Sequence, residues 1–271
     1  MRHKVTTALA ILLLISAVLG CSFLRPKSAL TWHLLIEVDS PDKTATVEKT
    51  IAVIERRLDA FGIHNSKVLA QGDPSNGRIL VTLPEVPDRK RVVELITAGG
   101  LLEFVEVVSP PSPSPVQTYT TNDEALASLG GKLSPNRRIL PYSERSEQVS
   151  ASSAPSKKWV VVKAPAIVDG SELRDASAVR YGGETEDYQI MFSLGPEGAT
   201  KFGQWTGEHI SDYIAVVLSG EVRSIAYIKT QIYDQGEISG TYTKQSAEDL
   251  ALVLRSGALP APIRIIEEGN K

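Results

Sequence analysis

The chain has one cysteine, Cys21, and its setting says what a thiol there would do. It stands directly behind an apolar run, Ala8–Leu19 (ALAILLLISAVL), which follows the basic cluster Met-Arg-His-Lys. That is the order of an export leader: a positive start, a short hydrophobic stretch, a processing point. A dozen apolar residues make roughly 18 Å of helix, short of the ~30 Å hydrocarbon layer. A lone thiol has no disulfide partner within its own chain, so in an exported protein it calls for another role.

The ending Val-Leu-Gly-Cys resembles a bacterial lipobox, in which the leader is cut before the cysteine and the thiol takes a lipid. On that reading residues 1–20 are removed, Cys21 is acylated, and residues 21–31 are a linker. An uncleaved anchor and a conventionally cleaved leader are the competing readings. Each buried methylene of an acyl chain contributes about 0.8 kcal/mol, so a multiply acylated cysteine holds a chain stably on a membrane.

Other chemistry has little to stand on. His3 lies in the leader, and His33, His64 and His209 are far apart, with no CxxC or HExxH. No metal site is expected. There is no Gly-x-Ser-x-Gly; Ser171 and Ser256 each adjoin a glycine, and Ser256-Gly257 reads as a helix end. The acidic pairs Glu103/Glu106 and Glu267/Glu268 read as solvated surface, and Gly182-Gly183 as a turn. No catalytic residue and no cofactor are expected. The 29 basic and 32 acidic groups give a net charge of −3. Loss of Arg2 and Lys4 with the leader makes the remainder more acidic. That argues against nucleic acid as a partner.

The elements that would carry any surface are legible from periodicity. His33–Val38 reads as a buried strand. Ser40, Pro41 and Asp42 open a helix, with Ser40 as cap, whose Val47, Ile51, Ile54, Leu58 and Phe61 share one face, stopped by Gly62. Lys67–Gln71 and Ile79–Leu83 are strands around the turn GDPSNG. Asp88 caps a second helix with Val92, Leu95 and Ile96 inward, and Leu101–Val108 (LLEFVEVV) is a fourth strand. Strand-helix-strand-strand-helix-strand is the ferredoxin-like order, assigned to residues 32–108.

Ser109–Pro115 (SPPSPSP) is a stiff, extended segment, and the Ser/Glu/Lys-rich stretch 143–158 is expected to be a mobile insertion. Beyond it come a strand at Trp159–Lys163 and an alternating strand through Tyr188, Ile190, Phe192 and Leu194. Pro196 begins a helix with Ala199, Phe202, Trp205 and His209 along one side. Tyr213–Leu218 and Val222–Ile228 form a hairpin. Thr243 caps a last helix with Ala247, Leu250, Ala251 and Leu254 inward, before a final strand at Ile263–Ile266. The class is α+β: a ferredoxin-like base subdomain and a second α+β subdomain over 109–268.

Four segments carry a resemblance. AEDLALVLRSGALPAP (Ala247–Pro262) resembles the end of the first periplasmic domain of SecD, a family of membrane proteins that assist the bacterial Sec translocon. ILVTLPEVPDRKRVVELITAGGLLEF (Ile79–Phe104) is similar to the base of that domain. IVDGSELRDASAV (Ile167–Val179) and IMFSLGPEGATKFGQWTGEHISDYIAVVLSGEVRSIAYI (Ile190–Ile228) are similar to its head. The family's Asp-Leu-x-Gly-Gly signature is absent from Ser28–Trp32, and its membrane helices have no counterpart before Lys271. The resemblance implies a stand-alone, lipid-anchored, extracytoplasmic form of base plus head in a bacterial envelope. Its implied partners are unfolded exported polypeptide or Sec translocon components, with no catalysis. It points to Phe202, Trp205, His209 and Tyr213 as a polypeptide-binding group. Helical spacing alone fits a core face for the same aromatics. Leu254, Leu259, Pro260 and Pro262 read as helix core and a rigid exit. A structural adaptor of the envelope, reusing the fold without handling substrate, is the alternative.

Overall fold

The computed structural model describes residues 30–143, 157–181 and 187–270. The leader 1–20, Cys21 with the linker as far as residue 29, the core of the 143–158 insertion and Gly182-Gly183 lie outside the described residues.

The base is built from β1 (Leu30–Val38), α1 (Lys43–Ala60), β2 (Lys67–Ala70), β3 (Arg78–Pro84), α2 (Arg89–Thr97) and the C-terminal β13 (Ile263–Asn270). Its sheet runs β13-β1-β3-β2 with every pair antiparallel. Trp32, Leu34, Ile36 and Val38 alternate inward along β1 and meet Val47, Ile54 and Leu58 of α1 in one core. Asp88 caps α2 as its position suggests, accepting from the Arg91 N–H at 3.0 Å. The α1 cap is Asp42, not Ser40; its carboxylate accepts from the Ala45 N–H at 3.2 Å.

The order of strands is ferredoxin-like, but the fourth strand is not the one the sequence suggests. The segment 101–108 supplies β4 (Leu102–Glu106), which leaves the base and pairs with the head strand β10 (Tyr213–Leu218). The residues give the reason. In LLEFVEVV, Leu102 and Phe104 enter one core while Val105 and Val107 enter another, so the strand needs cover on both faces. The start of β13 alternates Ile263 and Ile265 with Arg264, which suits a sheet edge with one face packed. The head is therefore an insertion between α2 and β13.

In chain order the head also holds α3 (Asn122–Ser128), β5 (Arg137–Ser143), β6 (Lys157–Lys163), β7 (Val168–Asp169), β8 (Leu173–Arg180), β9 (Tyr188–Leu194) and α4 (Pro196–Glu208). After β10 come β11 (Glu221–Tyr227), β12 (Gln235–Tyr242) and α5 (Lys244–Ser256). One sheet runs β6-β5-β11-β10-β4-β7, the other β12-β9-β8. All six residues of β10 are buried. Ile214, Val216 and Leu218 face a core shared with β9, α4 and α5. Tyr213, Ala215 and Val217 face a second core that Val160 and Val162 of β6 cover. A continuous apolar run, rather than an alternating one, is what a strand buried on both faces requires.

Helix α5 faces two ways. Ala247, Ala251 and Leu254 enter the head core, whereas Leu252 and Val253 pack on Leu95 of α2. Leu250 is half-buried. Among the described residues no helix is long and apolar enough to cross a membrane.

Candidate functional site

Among the described residues the three histidines do not converge. His33 lies on β1 with Glu267 at 3.4 Å, His64 is exposed beside Asp59 at 3.5 Å, and His209 ends α4. Among the described residues no three His, Cys, Asp or Glu side chains are grouped to hold a metal. The Ser171 hydroxyl donates to Asp169 at 2.6 Å in a capping turn, and that of Ser256 to the Leu252 carbonyl at 2.7 Å within α5. Glu103 and Glu106 are not free surface carboxylates. They are largely buried and paired with Arg138 (2.9 Å) and Lys163 (2.5 Å), which hold the β5–β6 hairpin over β4.

The four aromatic-face residues separate. Phe202 is 3% exposed, with its ring edge-on to Phe104 at 5.3 Å in the head core. Tyr213 is 7% exposed in the other core and donates its hydroxyl to the Ser114 carbonyl. The spacing that aligns them with Trp205 is thus a packing spacing for these two, and they cannot form a surface with it. Trp205 and His209 do reach the outside. Their rings stack at 4.1 Å with planes 12° apart, and His209 Nδ1 donates to the Trp205 carbonyl at 2.8 Å. A carbonyl only accepts, so in the neutral ring the proton sits on Nδ1.

Three large apolar residues on neighbouring segments are well exposed. Ile210, directly after His209, is 53% exposed, Tyr227 is 44% and Tyr233 is 63%. Backbone bonds assemble them. Ser211 N donates to Ile228 O (2.8 Å) and Ile228 N to Asp212 O (2.9 Å), which sets the start of β10 beside the end of β11. Gln231 Nε2 donates to Gly203 O (2.9 Å) and Ile232 N to Thr206 Oγ1 (2.9 Å), which lays the loop after β11 on α4. The Tyr233 ring lies against α4 at Gly203, where a Cβ would meet it at an ordinary contact distance of 3.4 Å. Lys229 Nζ lies 5.1 Å from the Tyr227 ring centre. The proline-rich segment arrives at the same end, where Ser112 N donates to Ser211 O at 2.6 Å. The only sequence signal for the loop residues is that they fall outside any strand or helix pattern.

This end is far from the base. The opposite end of β10 reaches Ser219, whose N–H donates to Leu101 O at 2.7 Å beside α2. Six strand residues at ~3.3 Å each separate the two ends by roughly 20 Å.

A family model for the SecDF P1 head subdomain matches residues 145–261, and one for the N-terminal part of the P1 domain of protein translocase subunit SecDF matches residues 47–109. Protein translocase subunit SecD of Koribacter versatilis is 34% identical over 226 residues, covering 83% of this chain and 39% of the relative. That of Aquifex aeolicus is 32% identical over 228 residues, covering 83% and 40%. The chain thus spans about two fifths of the length of these curated relatives. Among solved structures, the membrane component SecDF that enhances protein export superposes with a TM-score of 0.62 at 27% identity, over 87% of this chain and 98% of that one. SecDF in a super-membrane-facing form gives 0.64 at 28% identity, over 96% of this chain and 33% of that one.

Proposed function

The chain belongs to the SecD family, whose P1 base and head it spans, and from that premise we propose that it is an extracytoplasmic accessory of protein translocation that holds exported polypeptide at the outer end of its head. The observation that carries this reading is the exposure of Ile210, Tyr227 and Tyr233, with the half-buried Trp205–His209 stack, toward the end of the head remote from the base. Apolar and aromatic side chains gathered on one outward end suit an extended, apolar-rich chain, which offers side chains and no fixed shape. Transient handling needs fast release, hence weak contacts. The lipid on Cys21 is part of the same proposal, and so are the envelope location and the Sec translocon as neighbour.

The test is a titration of the purified protein with an unfolded secretory protein and with its folded form. Binding of the unfolded form alone, at up to roughly millimolar concentration where a weak ~4 kcal/mol interaction is visible, supports the reading. Failure to bind either form favours the envelope adaptor.

A further inference from the structure

The base sheet has a second face, turned away from α1. Trp32, Leu34, Ile36 and Val38 point to the core beneath that helix, so His33, Leu35 and Glu37 point to the far side, as alternation along a strand requires. On that far face Leu35 pairs with Leu80 of β3, and Leu80 with Leu69 of β2. Toward β13 the pairing is bulged: Leu35 meets Glu267 and Ile36 meets Ile265, so Ile266 is the extra residue. The register thus lays Leu69, Leu80, Leu35 and Ile266 in one row across all four strands. Leu69 is 60% exposed and Ile266 40%, while Leu80 is half-buried. None of the four belongs to a hydrophobic core of the described residues.

The polar groups that flank this row complement their own mirror order. On one side stand Arg78 of β3, Glu37 of β1 and Arg264 of β13, which are register partners across the sheet. Arg264 donates to Glu37 through Oε2, and among the described residues nothing donates to Oε1. Arg78 is exposed and reaches Glu37 only through its field. On the other side stand Lys67, Thr82 and His33. A second copy can be turned over this face about a two-fold axis that runs parallel to the strands, between β1 and β3. Leu35 then meets Leu80 of the second copy, Leu69 meets its Ile266, and Arg78 meets its Glu37, each contact made twice. Thr82 meets His33, and no two like charges face each other.

Sheets pack face to face about 10 Å apart with their strands within about 30° of each other, and this row supplies the interdigitating side chains. A contact of this kind uses one patch twice and closes on itself. The face measures roughly 20 Å by 20 Å, from four strands at ~4.8 Å and six residues at ~3.3 Å. That is below the ~800 Å² each partner gives to a standard complex, so the population of such a dimer follows concentration.

We propose that the open face of the base sheet is the contact of a weak two-fold dimer of this chain, with the row Leu69, Leu80, Leu35 and Ile266 at its centre and Arg78 paired to Glu37 of the second copy. The test is chemical crosslinking of the full chain in detergent, carrying Cys21→Ala with Leu69→Cys and Ile266→Cys. The two new thiols sit on the outer strands of one sheet, roughly 14 Å apart, and a bismaleimide shorter than that cannot join them within one chain. The double-cysteine chain is expected to give a crosslinked dimer whose yield rises with protein concentration. Either single-cysteine chain is expected to give about tenfold less, because its two thiols lie at opposite edges of the dimer. Leu80→Lys, and Arg78→Glu, which sets like charges against Glu37, are each expected to cut the yield of the double-cysteine chain about tenfold. No dimer in that chain, equal yields from the single-cysteine chains, or a yield that neither substitution moves overturns the proposal and leaves the row to a different molecule. Should Leu80→Lys not fold, Arg78→Glu decides alone.

Discussion

Arg91 lays its guanidinium on the Asp249 carboxylate through three N–H to oxygen contacts of 2.7 to 3.1 Å, and so ties the base helix α2 to the head helix α5 at the rim of a cleft of about 250 Å³ between them. Both side chains are a little over a quarter exposed, so water screens the pair. Arg91→Ala or Asp249→Ala should each cost about 1 kcal/mol in urea unfolding. Exchanging the two residues, Arg91→Asp with Asp249→Arg, should recover part of that cost. A double exchange less stable than both alanine variants contradicts the direct pairing.

Phe202 and Trp205 are three residues apart on α4 and should respond in opposite ways. Phe202→Ala removes a buried ring and should destabilise the fold by about 3–5 kcal/mol, read from chemical denaturation. Trp205→Ala with Ile210→Ala should leave stability within about 1.5 kcal/mol and weaken binding of an unfolded polypeptide roughly tenfold. Unchanged affinity in that double variant moves the binding surface elsewhere.

Leu254 is buried in the head core, whereas Leu250 packs on the same core only partly buried and also lines the cleft between α2 and α5. Leu254→Ala should cost about 2–5 kcal/mol, and Leu250→Ala clearly less. Equal losses, measured side by side, would mean that the cleft is closed in solution.

The hydrogen bonds from Arg264, which tie β13 to β1, hold the Glu37 carboxyl below its ordinary value of 4.5. A folded-state value below the unfolded one contributes stability above pH 4.5 and loses it as pH falls through the folded-state value. Acidification from pH 7 to 3 should therefore lower the melting temperature more in the parent than in Glu37→Gln. Identical acid limbs would show that this pair does not contribute.

Metabolic labelling with a radioactive fatty acid should mark the parent and not Cys21→Ala, which should also keep its leader. Absence of label from the parent removes the lipid anchor from the proposal.

Much of the architecture is written in spacing. Val92, Leu95 and Ile96 turn inward on α2, Pro196 opens α4, and Thr243 caps α5, because local pattern and tertiary environment agree at these places. The choice between β4 and β13 as the fourth base strand is not local. It is legible only in that Val105 and Val107 point opposite to Leu102 and Phe104, a double-faced pattern that one sheet with one helix layer cannot bury. Arg57, fully buried with its guanidinium on the main-chain carbonyls of Leu95, Ile96, Ala98 and Gly257, carries its own signal: it falls three residues after Ile54, on the inward face of α1, where a charge needs a reason. Ile210 and Tyr233 fall outside any periodic pattern and Tyr227 ends a predicted strand, so contacts across the chain decide their exposure.

The closure of the base by β13 sets an order of events during folding. A chain delivered from its N-terminus presents β1, β2 and β3 long before Ile263–Asn270, so the edge of β1 stays open while the head is made. Joining β13 to β1 across an unfolded head would carry the loop-closure entropy of the whole insertion. Once the head folds, its two ends are already joined by the Leu259 N to Gly99 O bond, and the last strand has only the short step from Leu259 to Ile263 left to make. The head thereby acts on its own base as a template, bringing the ends of a distant pairing together before the pairing forms.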